Sequence, residues 1–411
     1  MGEMKLGSLF DGSGGFPLAA CLCGITPVWA SEIEPYPIAV TRSRFPKMKH
    51  LGNISTINGA EIEPVDVITF GSPCQDLSVA GKRAGLKHEA NGDTETTRSG
   101  LFMEAIRIIT EMREATNGVY PRFAIWENVP GAFSSNKGRD FRIVLEEFIK
   151  IVEPEAVMPG VPSKGWPRAD YYRGNGWSLA YRTLDAQYWG VPQRRRRIYL
   201  VADFAGGCAG KILFEREGLR GYFTEGRTPR ETVARNFAPC AGATGFDGYN
   251  CRLTDDASAA IASENHPTAV CYGIGRDAFN QGRNAKFSPT FEMELQPTLV
   301  ARGPGAVQSG YTVRRLTPTE CARLQGFPDR WGDVDAKSNL TGEGYRFWLG
   351  VRNTHAAING ETVKTYTRAQ MLAWYSKLHT DNAEYKMWGN GIALPTALYV
   401  MQGIGDCLHG K

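Results

Sequence analysis

Short apolar runs alternate with amphipathic helical stripes over the first 204 residues of the chain. The stripes at 101–112 and 141–152 repeat apolar side chains at helical spacing, and we interpret both as core-packing faces. The apolar runs, which predict strands, lie at 6–10, 27–30, 65–70, 122–126 and 197–202. This alternation predicts an α/β fold with a mostly parallel sheet and helices on its faces.

The pattern changes between residue 205 and about residue 311, where glycine, asparagine and proline become frequent and helical periodicity fades. We expect a second, irregular domain here. A helix is then predicted to start at Thr317, with Pro318 in its first turn and Glu320 completing a capping box. The last stretch, 392–408, predicts a helix that returns to the first domain.

The composition is that of a soluble globular protein, with 411 residues, 42% hydrophobic residues and a net charge of +4. This charge permits a polyanionic partner without demanding one. Nine cysteines is an odd number, and most lie in apolar or helical segments, so we expect reduced thiols in a cytoplasmic setting and no metal site. No apolar run approaches transmembrane length, and no membrane partner is expected.

A glycine-rich turn at 9–15 follows the first predicted strand and leads into a helix. Such a turn lets the backbone approach a ligand, and the helix N-terminus adds a favourable dipole. Glu32 lies about 20 positions further on, where an acidic residue often binds ribose hydroxyls. Glu32 is equally well explained as an exposed helix-cap carboxylate.

Cys74 and Glu127 each follow an apolar run, in the segments 71–75 (GSPCQ) and 127–130 (ENVP). Strand ends are where open α/β sheets carry their chemistry. A thiolate can attack a ring carbon covalently while a carboxyl group binds the adjacent ring nitrogen. The alternatives are an inert buried cysteine and a carboxylate in an ion pair at the sheet edge.

The run of four arginines at 194–197 enters a predicted strand, so Arg195 and Arg197 should share one face and Arg194 and Arg196 the other. One pair can line a pocket, although such a run is usually a solvated basic surface. The glycine-rich and basic stretch 75–100 resembles a mobile lid that seeks phosphates, or an ordinary surface loop.

Seven segments, in order, resemble the motifs of the cytosine-C5 DNA methyltransferases of bacterial or phage type. These segments are 9–15, 71–75, 98–102, 127–130, 193–199, 314–328 and 389–395. The resemblance covers about the whole chain apart from 205–311 and 331–385. It implies a Rossmann-like sheet that uses S-adenosylmethionine, with residues 1–204 completed by 386–411 as the catalytic and cofactor-binding domain. It also implies a target-recognition domain at 205–385, which includes a supporting motif at 312–330 and an insertion at 331–385.

The resemblance also implies roles for individual residues. Cys74 is the implied nucleophile towards C6 of a flipped-out cytosine in double-stranded DNA, assisted by Glu127, Arg195 and Arg197. The implied cofactor contacts are Phe10, Gly12, Gly14, Gly15, Glu32, Ile33, Asn53, Ile54, Pro73, Leu101, Asn390 and Gly391. The expected DNA contacts are Gln75, Ser78, Lys82, Arg83, Arg98, Arg276, Arg283 and Arg302.

The sequence departs from the family pattern at three places. Ser8 replaces a common acidic residue, and Asn53 stands where the family usually has Asp, although its carbonyl oxygen can still accept a hydrogen bond. The insertion 331–385 would extend the DNA contact or brace the final helix. Two other functions stay open: an RNA (tRNA) cytosine-C5 methyltransferase and a DNA-binding paralogue without activity. We expect a monomer acting in the cytoplasm of a prokaryotic cell or a phage host, with a companion restriction endonuclease as a further partner.

Overall fold

The structure is a computed structural model, and most of the chain can be described from it. The described residues are 3–72, 100–158, 160–214, 245–247, 252–254, 271–276, 291–293, 295–301, 303–309, 312–335 and 337–409.

An eight-stranded sheet with the order β3-β2-β1-β4-β5-β8-β7-β6 forms the centre of the fold. Its strands are β1 (Lys5–Leu9), β2 (Thr26–Ser31), β3 (Lys49–His50), β4 (Val67–Phe70), β5 (Phe123–Asn128), β6 (Ala169–Arg173), β7 (Ser178–Asp185) and β8 (Arg196–Asp203). Strands β3, β2, β1, β4 and β5 pair in parallel, whereas β8, β7 and β6 join antiparallel. The α/β fold with a mostly parallel sheet is therefore confirmed.

The described residues form ten α-helices, several of which cover the two faces of this sheet. They are α1 (Gly15–Leu22), α2 (Pro35–Arg44), α3 (Leu101–Ala115), α4 (Arg139–Lys150), α5 (Ala209–Leu213), α6 (Pro318–Leu324), α7 (Gly342–Ile358), α8 (Arg368–Tyr375), α9 (Asp381–Asn390) and α10 (Leu394–His409). One core lies between the sheet and α1, α5 and α10, and a second lies between the sheet and α3 and α4. The stripes predicted at 101–112 and 141–152 supply this second core, because Phe102, Ile109, Phe141 and Phe148 are buried there.

The antiparallel strand β8 brings its beginning to the functional edge of the sheet. In a parallel sheet the carboxyl ends of neighbouring strands share one edge, which here holds the ends of β4 and β5. Since β8 runs against β5, with Ile198 opposite Asn128 and Tyr199 opposite Glu127, the first residues of β8 lie at that same edge. The fold thus gathers the arginine run and the glutamate segment from positions about 70 residues apart.

The described part of residues 205–315 includes a small antiparallel sheet. It contains β11 (Cys271–Ile274), β12 (Phe291–Met293), β13 (Ala306–Ser309) and β14 (Thr312–Arg315), in the order β12-β11-β13-β14; a separate pair joins β9 (Gly245–Asp247) to β10 (Arg252–Thr254). The segment around Gln296 links the four-stranded sheet to the arginine run, since Arg194 N donates to Gln296 O at 2.9 Å and Gln296 N donates to Pro192 O at 2.8 Å.

Helix α6 begins as the sequence predicts. The Thr317 hydroxyl accepts from Glu320 N, and the Glu320 carboxylate accepts from Thr317 N, which completes the capping box. Its residues Cys321 and Ala322 pack in the same core as α1 and α10. Helices α7 and α8, from the insertion 331–385, pack instead on α2, where Trp348 and Met371 contact the cluster that contains Ile38.

Cysteine pairing differs in one respect from the expectation of reduced thiols. Cys208 and Cys407, on neighbouring ends of α5 and α10, form a disulfide with their Cα atoms 6.2 Å apart. Cys21 and Cys321 are free thiols. Among the described helices, none is both long enough and apolar enough to span a bilayer.

Candidate functional site

Glu127 and Arg197 form the centre of the candidate catalytic site. Arg197 Nε lies 3.1 Å from Glu127 Oε1, and the two side chains are only 14% and 15% exposed. Burial raises the pKa of the Glu127 carboxyl above its ordinary value, while the charges of Arg197 and Arg195 oppose this shift. The site therefore holds a carboxyl group that binds a proton more readily than a solvated glutamate does.

The strand geometry explains why these groups meet. Glu127 stands opposite Tyr199 in the β5–β8 pair, and residues two apart on a strand point to the same face. Tyr199 and Arg197 therefore share the face of Glu127, whereas the side chains of Arg194 and Arg196 are 50% and 52% exposed on the other side. This is the alternation that the sequence predicts.

Tyr199 is a member of this face that sequence reasoning missed. Its ring is buried and its hydroxyl lies 2.6 Å from Thr396 Oγ1 on α10. An apolar run such as 198–202 gives no sign that one tyrosine within it adjoins the Glu127 carboxyl. The alternation from Arg197 would have indicated it.

Arg195 is buried and binds main-chain carbonyls from distant parts of the chain. Its guanidinium donates to Leu299 O at 3.3 Å, to Gly389 O at 3.4 Å and to Gly391 O. Burial lowers the pKa of Arg195, and the nearby charge of Arg197 acts in the same direction. Arg195 therefore connects the eight-stranded sheet to Leu299, which follows β12, and to the segment that precedes α10.

Gly71 and Ser72 bring the cysteine segment to the same place. A Cβ atom added to Gly71 would lie 3.3 Å from Glu127 Oε2, so the chain leaving β4 passes directly beside the carboxyl. Ser72 O accepts a hydrogen bond of 3.0 Å from Asn128 Nδ2, and Ser72 Oγ accepts one of 3.1 Å from Trp126 Nε1. The two motif segments are thus tied together at Ser72.

Several predicted site residues lie outside the described part of the chain. These are Pro73, Cys74, Gln75, Ser78, Lys82, Arg83, Arg98, Arg283 and Arg302. Their assignments stay predictions.

The glycine-rich turn after β1 forms the candidate cofactor site. Phe10, Gly12 and Gly14 all have positive φ, at 55°, 56° and 78°, so the chain folds back sharply before α1 starts at Gly15. Gly12 N donates to Glu32 Oε2 at 2.8 Å, and Glu32 Oε1 accepts from Ile33 N and Glu34 N. Glu32 is thereby fixed beside the turn, and burial raises the pKa of its carboxyl, against the effect of these N–H groups.

The buried polar atoms of this turn suit a polar ligand. Among the described residues, Asp11 Oδ2 and Ser13 Oγ are buried without a hydrogen-bond partner. Buried polar groups are normally paired, so two such atoms beside a glycine turn are groups to which a polar ligand can hydrogen-bond. The residues present therefore fit S-adenosylmethionine.

The segment 390–391 returns to this turn. A Cβ atom added to Gly391 would lie 3.0 Å from Ser13 Oγ, and one added to Gly15 would lie 2.1 Å from Ile392 Cγ2. Asn390 is exposed at the end of α9. Glycine at both positions allows the close approach of the two segments.

Asn53, Ile54 and Leu101 border the other side of the predicted site. Asn53 caps the short helix Ile54–Thr56, and its Oδ1 accepts from both Ser55 N at 3.1 Å and Ser55 Oγ at 3.2 Å. Two hydrogen bonds occupy that oxygen, so it has less capacity to accept another than the sequence suggests. Ile54 is buried, and Leu101 is half-buried at the start of α3.

Arg276 lies in a depression beside the arginine run. Arg194, Glu292 and Thr298 also border this depression, which has a volume of about 280 Å³. Arg194 Nη1 pairs with Glu292 Oε1 at 3.3 Å. Of the predicted DNA contacts, Arg276 is the one in the described part of the chain. It borders the same depression as Arg194, which directly precedes the start of β8 at the sheet edge that holds Glu127.

Comparison with known protein families matches residues 4–151 and 238–346 to C-5 cytosine-specific DNA methylase. These two segments make up more than half of the chain. The chain belongs to this family. The match includes the glycine turn, Glu127 and the supporting motif that contains α6.

Two relatives of this C-5 methylase align over nearly its whole length. A protein of Escherichia phage P1 named DNA N-6-adenine-methyltransferase is 27% identical, and the alignment covers 99% of this chain but 61% of that protein. The Type II methyltransferase M.HhaI of Haemophilus parahaemolyticus is 26% identical, with 98% of this chain and 94% of that protein covered. The chain thus spans less than two thirds of the length of the phage P1 relative.

A solved structure shares the fold. It is an Escherichia coli protein encoded within a prophage and described as a DNA modification methyltransferase, with a TM-score of 0.50, 18% identity and 99% of each chain covered. At this identity the likeness concerns the fold alone.

Proposed function

We propose that this C-5 methylase transfers a methyl group to C5 of a cytosine in double-stranded DNA, through a transient bond between Cys74 and C6 of the ring. The observation that carries the proposal is the cluster of Glu127, Arg197 and Gly71 at one edge of the sheet, beside the chain segment that leads to Cys74. Only Pro73 separates Ser72 from Cys74, and consecutive Cα atoms are about 3.8 Å apart, so covalent geometry keeps the thiol in this neighbourhood.

Glu127 supplies the proton that the ring needs during attack. As the Cys74 thiolate forms a bond to C6, the electrons of the C5–C6 double bond move through the ring and N3 accepts a proton from the Glu127 carboxyl. Burial keeps this carboxyl protonated to higher pH than a solvated glutamate, which supports its role as the acid. Once C5 carries the methyl group, its proton is lost to solvent, the C6–S bond breaks to release the Cys74 thiolate, and N3 returns its proton to Glu127, which restores the aromatic ring.

Arg197 orients Glu127 and adds positive charge where the ring becomes electron-rich. Its Nε faces the carboxyl at 3.1 Å and its Nη1 donates to Arg196 O at 2.8 Å, so Nη2 is the group proposed to bind a base carbonyl or a phosphate at the open edge. Arg195 acts indirectly in this proposal, because its guanidinium binds main-chain carbonyls and holds the surrounding segments in place.

S-adenosylmethionine supplies an electrophilic methyl group when it is bound. Phe10, Gly12, Gly14, Gly15, Glu32, Ile33, Asn53, Ile54, Pro73, Leu101, Asn390 and Gly391 would hold it. In this set Glu32 is the group suited to ribose hydroxyls, since three backbone N–H groups fix its carboxylate beside the turn.

The substrate cytosine must leave the DNA stack, because the faces of C5 and C6 are inaccessible inside a duplex. Residues 205–311 carry the base readout in this proposal, and Arg276 beside Arg194 is positioned to bind the phosphate backbone. The Type II name of M.HhaI motivates a companion restriction endonuclease as a further proposal, with action in the cytoplasm of the host.

The test measures methyl incorporation from labelled S-adenosylmethionine into mixed-sequence DNA and into tRNA, followed by nucleoside analysis. We expect 5-methylcytosine in DNA. Labelled 5-methylcytosine in tRNA alone would favour the RNA methyltransferase, and N6-methyladenine would favour the activity named for the phage P1 relative.

Two substitutions test the assigned residues. Cys74→Ser should abolish turnover while DNA binding persists, and Glu127→Gln should lower the rate by about 10²–10⁴-fold. Cys21→Ser and Glu61→Gln, at exposed positions away from the sheet edge, are matched controls that should retain activity. Near-normal methylation by Cys74→Ser would contradict the proposed nucleophile, and a covalent adduct with 5-fluorocytosine DNA would exclude an inactive paralogue.

A further inference from the structure

A cavity of about 170 Å³ lies between the insertion 331–385 and residues 32–34, which form the proposed ribose-binding loop. Glu32 and Ile33 line one side of this cavity, with Leu51 and Gly52 from the end of β3 beside them. Helix α7 forms the opposite wall. The cavity therefore shares two residues with the predicted cofactor site, although α7 belongs to none of the seven family motifs.

One face of α7 is shaped as a pocket wall. The lining residues Phe347, Gly350, Val351 and Thr354 follow the spacing of a single helical face. Gly350 stands in the middle of this face, and a Cβ atom added there would meet no protein atom within 4 Å. Gly350 is exposed, so a larger side chain there would extend into the open space beside the cavity, although glycine in a helix interior costs stability relative to alanine.

The cavity is also lined by polar groups, one of which holds an atom without a partner. His50 lines it, and among the described residues its buried Nδ1 has no hydrogen-bond partner, whereas Nε2 lies 3.3 Å from Thr41 Oγ1. The Thr354 hydroxyl and the Glu32 carboxylate border the same space. A mixed apolar and hydrogen-bonding lining of this kind suits a heterocycle with a polar edge.

The insertion is also attached directly to the ribose-binding loop. His355 Nε2 on α7 lies 3.6 Å from Glu34 Oε2, and immediately after the insertion Lys386 Nζ on α9 lies 2.8 Å from Glu34 Oε1. Glu34 N in turn donates to Glu32 Oε1 at 2.9 Å. The position of α7 is thus coupled to the carboxylate assigned to the ribose.

We propose that α7 is part of the cofactor site and covers the adenosine end of the bound S-adenosylmethionine. The proposal rests on the proposed function and extends it by assigning the insertion 331–385 to cofactor binding. It accounts for the open face at Gly350, for the unpaired His50 nitrogen and for the contacts of His355 and Lys386 with the loop.

The test fills the cavity and measures binding without catalysis. Titration calorimetry would give the Kd of S-adenosylhomocysteine and of adenosine for the parent chain and for Gly350→Leu. We expect the substitution to weaken both ligands by about tenfold or more, since a few added carbons in a binding pocket change affinity by about 10–200-fold. Equal losses for the two ligands would locate the effect at the adenosine end.

Gly405→Leu is the matched control, because Gly405 is also helical and also has open space beside it, on α10. It should leave both affinities unchanged, and thermal unfolding should show that both variants fold. Unchanged affinity in Gly350→Leu would overturn this inference alone, as would a loss for S-adenosylhomocysteine but not adenosine. If the parent chain bound neither ligand, the proposed function would fail first.

Discussion

The side-chain amide of Asn128 donates a hydrogen bond of 3.0 Å to the main-chain carbonyl of Ser72. Asn128 follows Glu127 directly on β5, and Ser72 stands two residues before Cys74. The oxygen of the Asn128 side-chain amide is also fixed, because Oδ1 accepts from Val129 N at 2.8 Å. A buried amide thus connects the segment of the proposed acid to the segment of the proposed nucleophile.

Asn128→Asp should uncouple these segments. The carboxylate keeps the acceptor towards Val129 but places an oxygen against Ser72 O, which removes the hydrogen bond and repels the carbonyl. We expect the single-turnover methylation rate to fall by about 10²-fold, the loss that a misplacement of about 1 Å causes. Asn58→Asp, an exposed asparagine paired with Glu61, is the control and should keep its rate. A normal rate in Asn128→Asp would show that the tie to Ser72 is dispensable.

Substitutions of Arg195 and Arg197 should have different effects when the free energy of unfolding and the methylation rate are both measured. Arg195→Met leaves buried carbonyls at Leu299, Gly389 and Gly391 without a donor, and each unpaired group costs about 1–3 kcal/mol. We therefore expect a large decrease in the free energy of unfolding in urea. Arg197→Met, whose partner is Glu127, should unfold nearly as the parent chain does but lose most of its methylation rate.

Each arginine variant is the control for the other, because both remove one guanidinium from the same face. Equal losses of stability in the two variants would contradict the division between a binding role for Arg197 and a positioning role for Arg195. Arg196→Met, on the exposed side of the strand, should change neither quantity by much.

Asp11 should make the stability of the protein depend on pH near neutrality. Its carboxylate is buried, Ser8 Oγ donates to Oδ1 at 2.7 Å, and burial raises the pKa of Asp11 from 3.8 to about 7. Between these two values the folded chain holds a proton that the unfolded chain has lost. The free energy of unfolding therefore falls as pH rises through this window, by up to about 1.4 kcal/mol per pH unit.

Asp11→Asn removes this titration while keeping the acceptor for Ser8. Urea unfolding at several pH values from 5 to 8 should show the variant gaining stability relative to the parent chain as pH rises, with the difference levelling off above about pH 7. Parallel stability curves for the two proteins would mean that Asp11 is already ionised in the folded state near pH 5.

The strands and the helix cap whose signals lie within a few neighbouring residues were predictable from the sequence. The five apolar runs each correspond to a strand. Central strands are buried on both faces, so they appear in the sequence as nearly continuous hydrophobic runs. Strands β6 and β7 were missed, since β6 is half-exposed and polar and lies after a proline- and glycine-rich stretch without a clear period. The capping box at Thr317 was found because its signature is contained within four residues.

The candidate site was predictable only in part, for a physical reason. The shared face of Arg195 and Arg197 follows from the two-residue period of a strand. The partners of Arg195 do not, because Leu299 and Gly391 are separated from it by 104 and 196 residues. The position of α7 against Glu32 and Ile33 is likewise a consequence of long-range packing on α2, which no local pattern encodes.

Gly389 on α9 lies directly against the main chain of residues 300–301. A Cβ atom added there would lie 2.3 Å from both Ala301 N and Val300 C, which are main-chain atoms that cannot rotate away. Gly389→Ala should therefore lower the free energy of unfolding by about 1–3 kcal/mol, although alanine favours a helix by about 1 kcal/mol over glycine. Because segment 300–301 adjoins the depression at Arg276, we also expect weaker DNA binding.

Gly405→Ala in α10 is the same chemical change but should raise the free energy of unfolding instead of lowering it. Open space surrounds its added Cβ atom, so only the helix propensity acts and the protein should become more stable by about 1 kcal/mol or less. Urea denaturation of both variants, with DNA affinity measured at one fixed salt concentration, tests the pair. If Gly389→Ala were as stable as Gly405→Ala and bound DNA normally, then α9 and segment 300–301 would not be in the close contact on which the geometry around Arg195 depends.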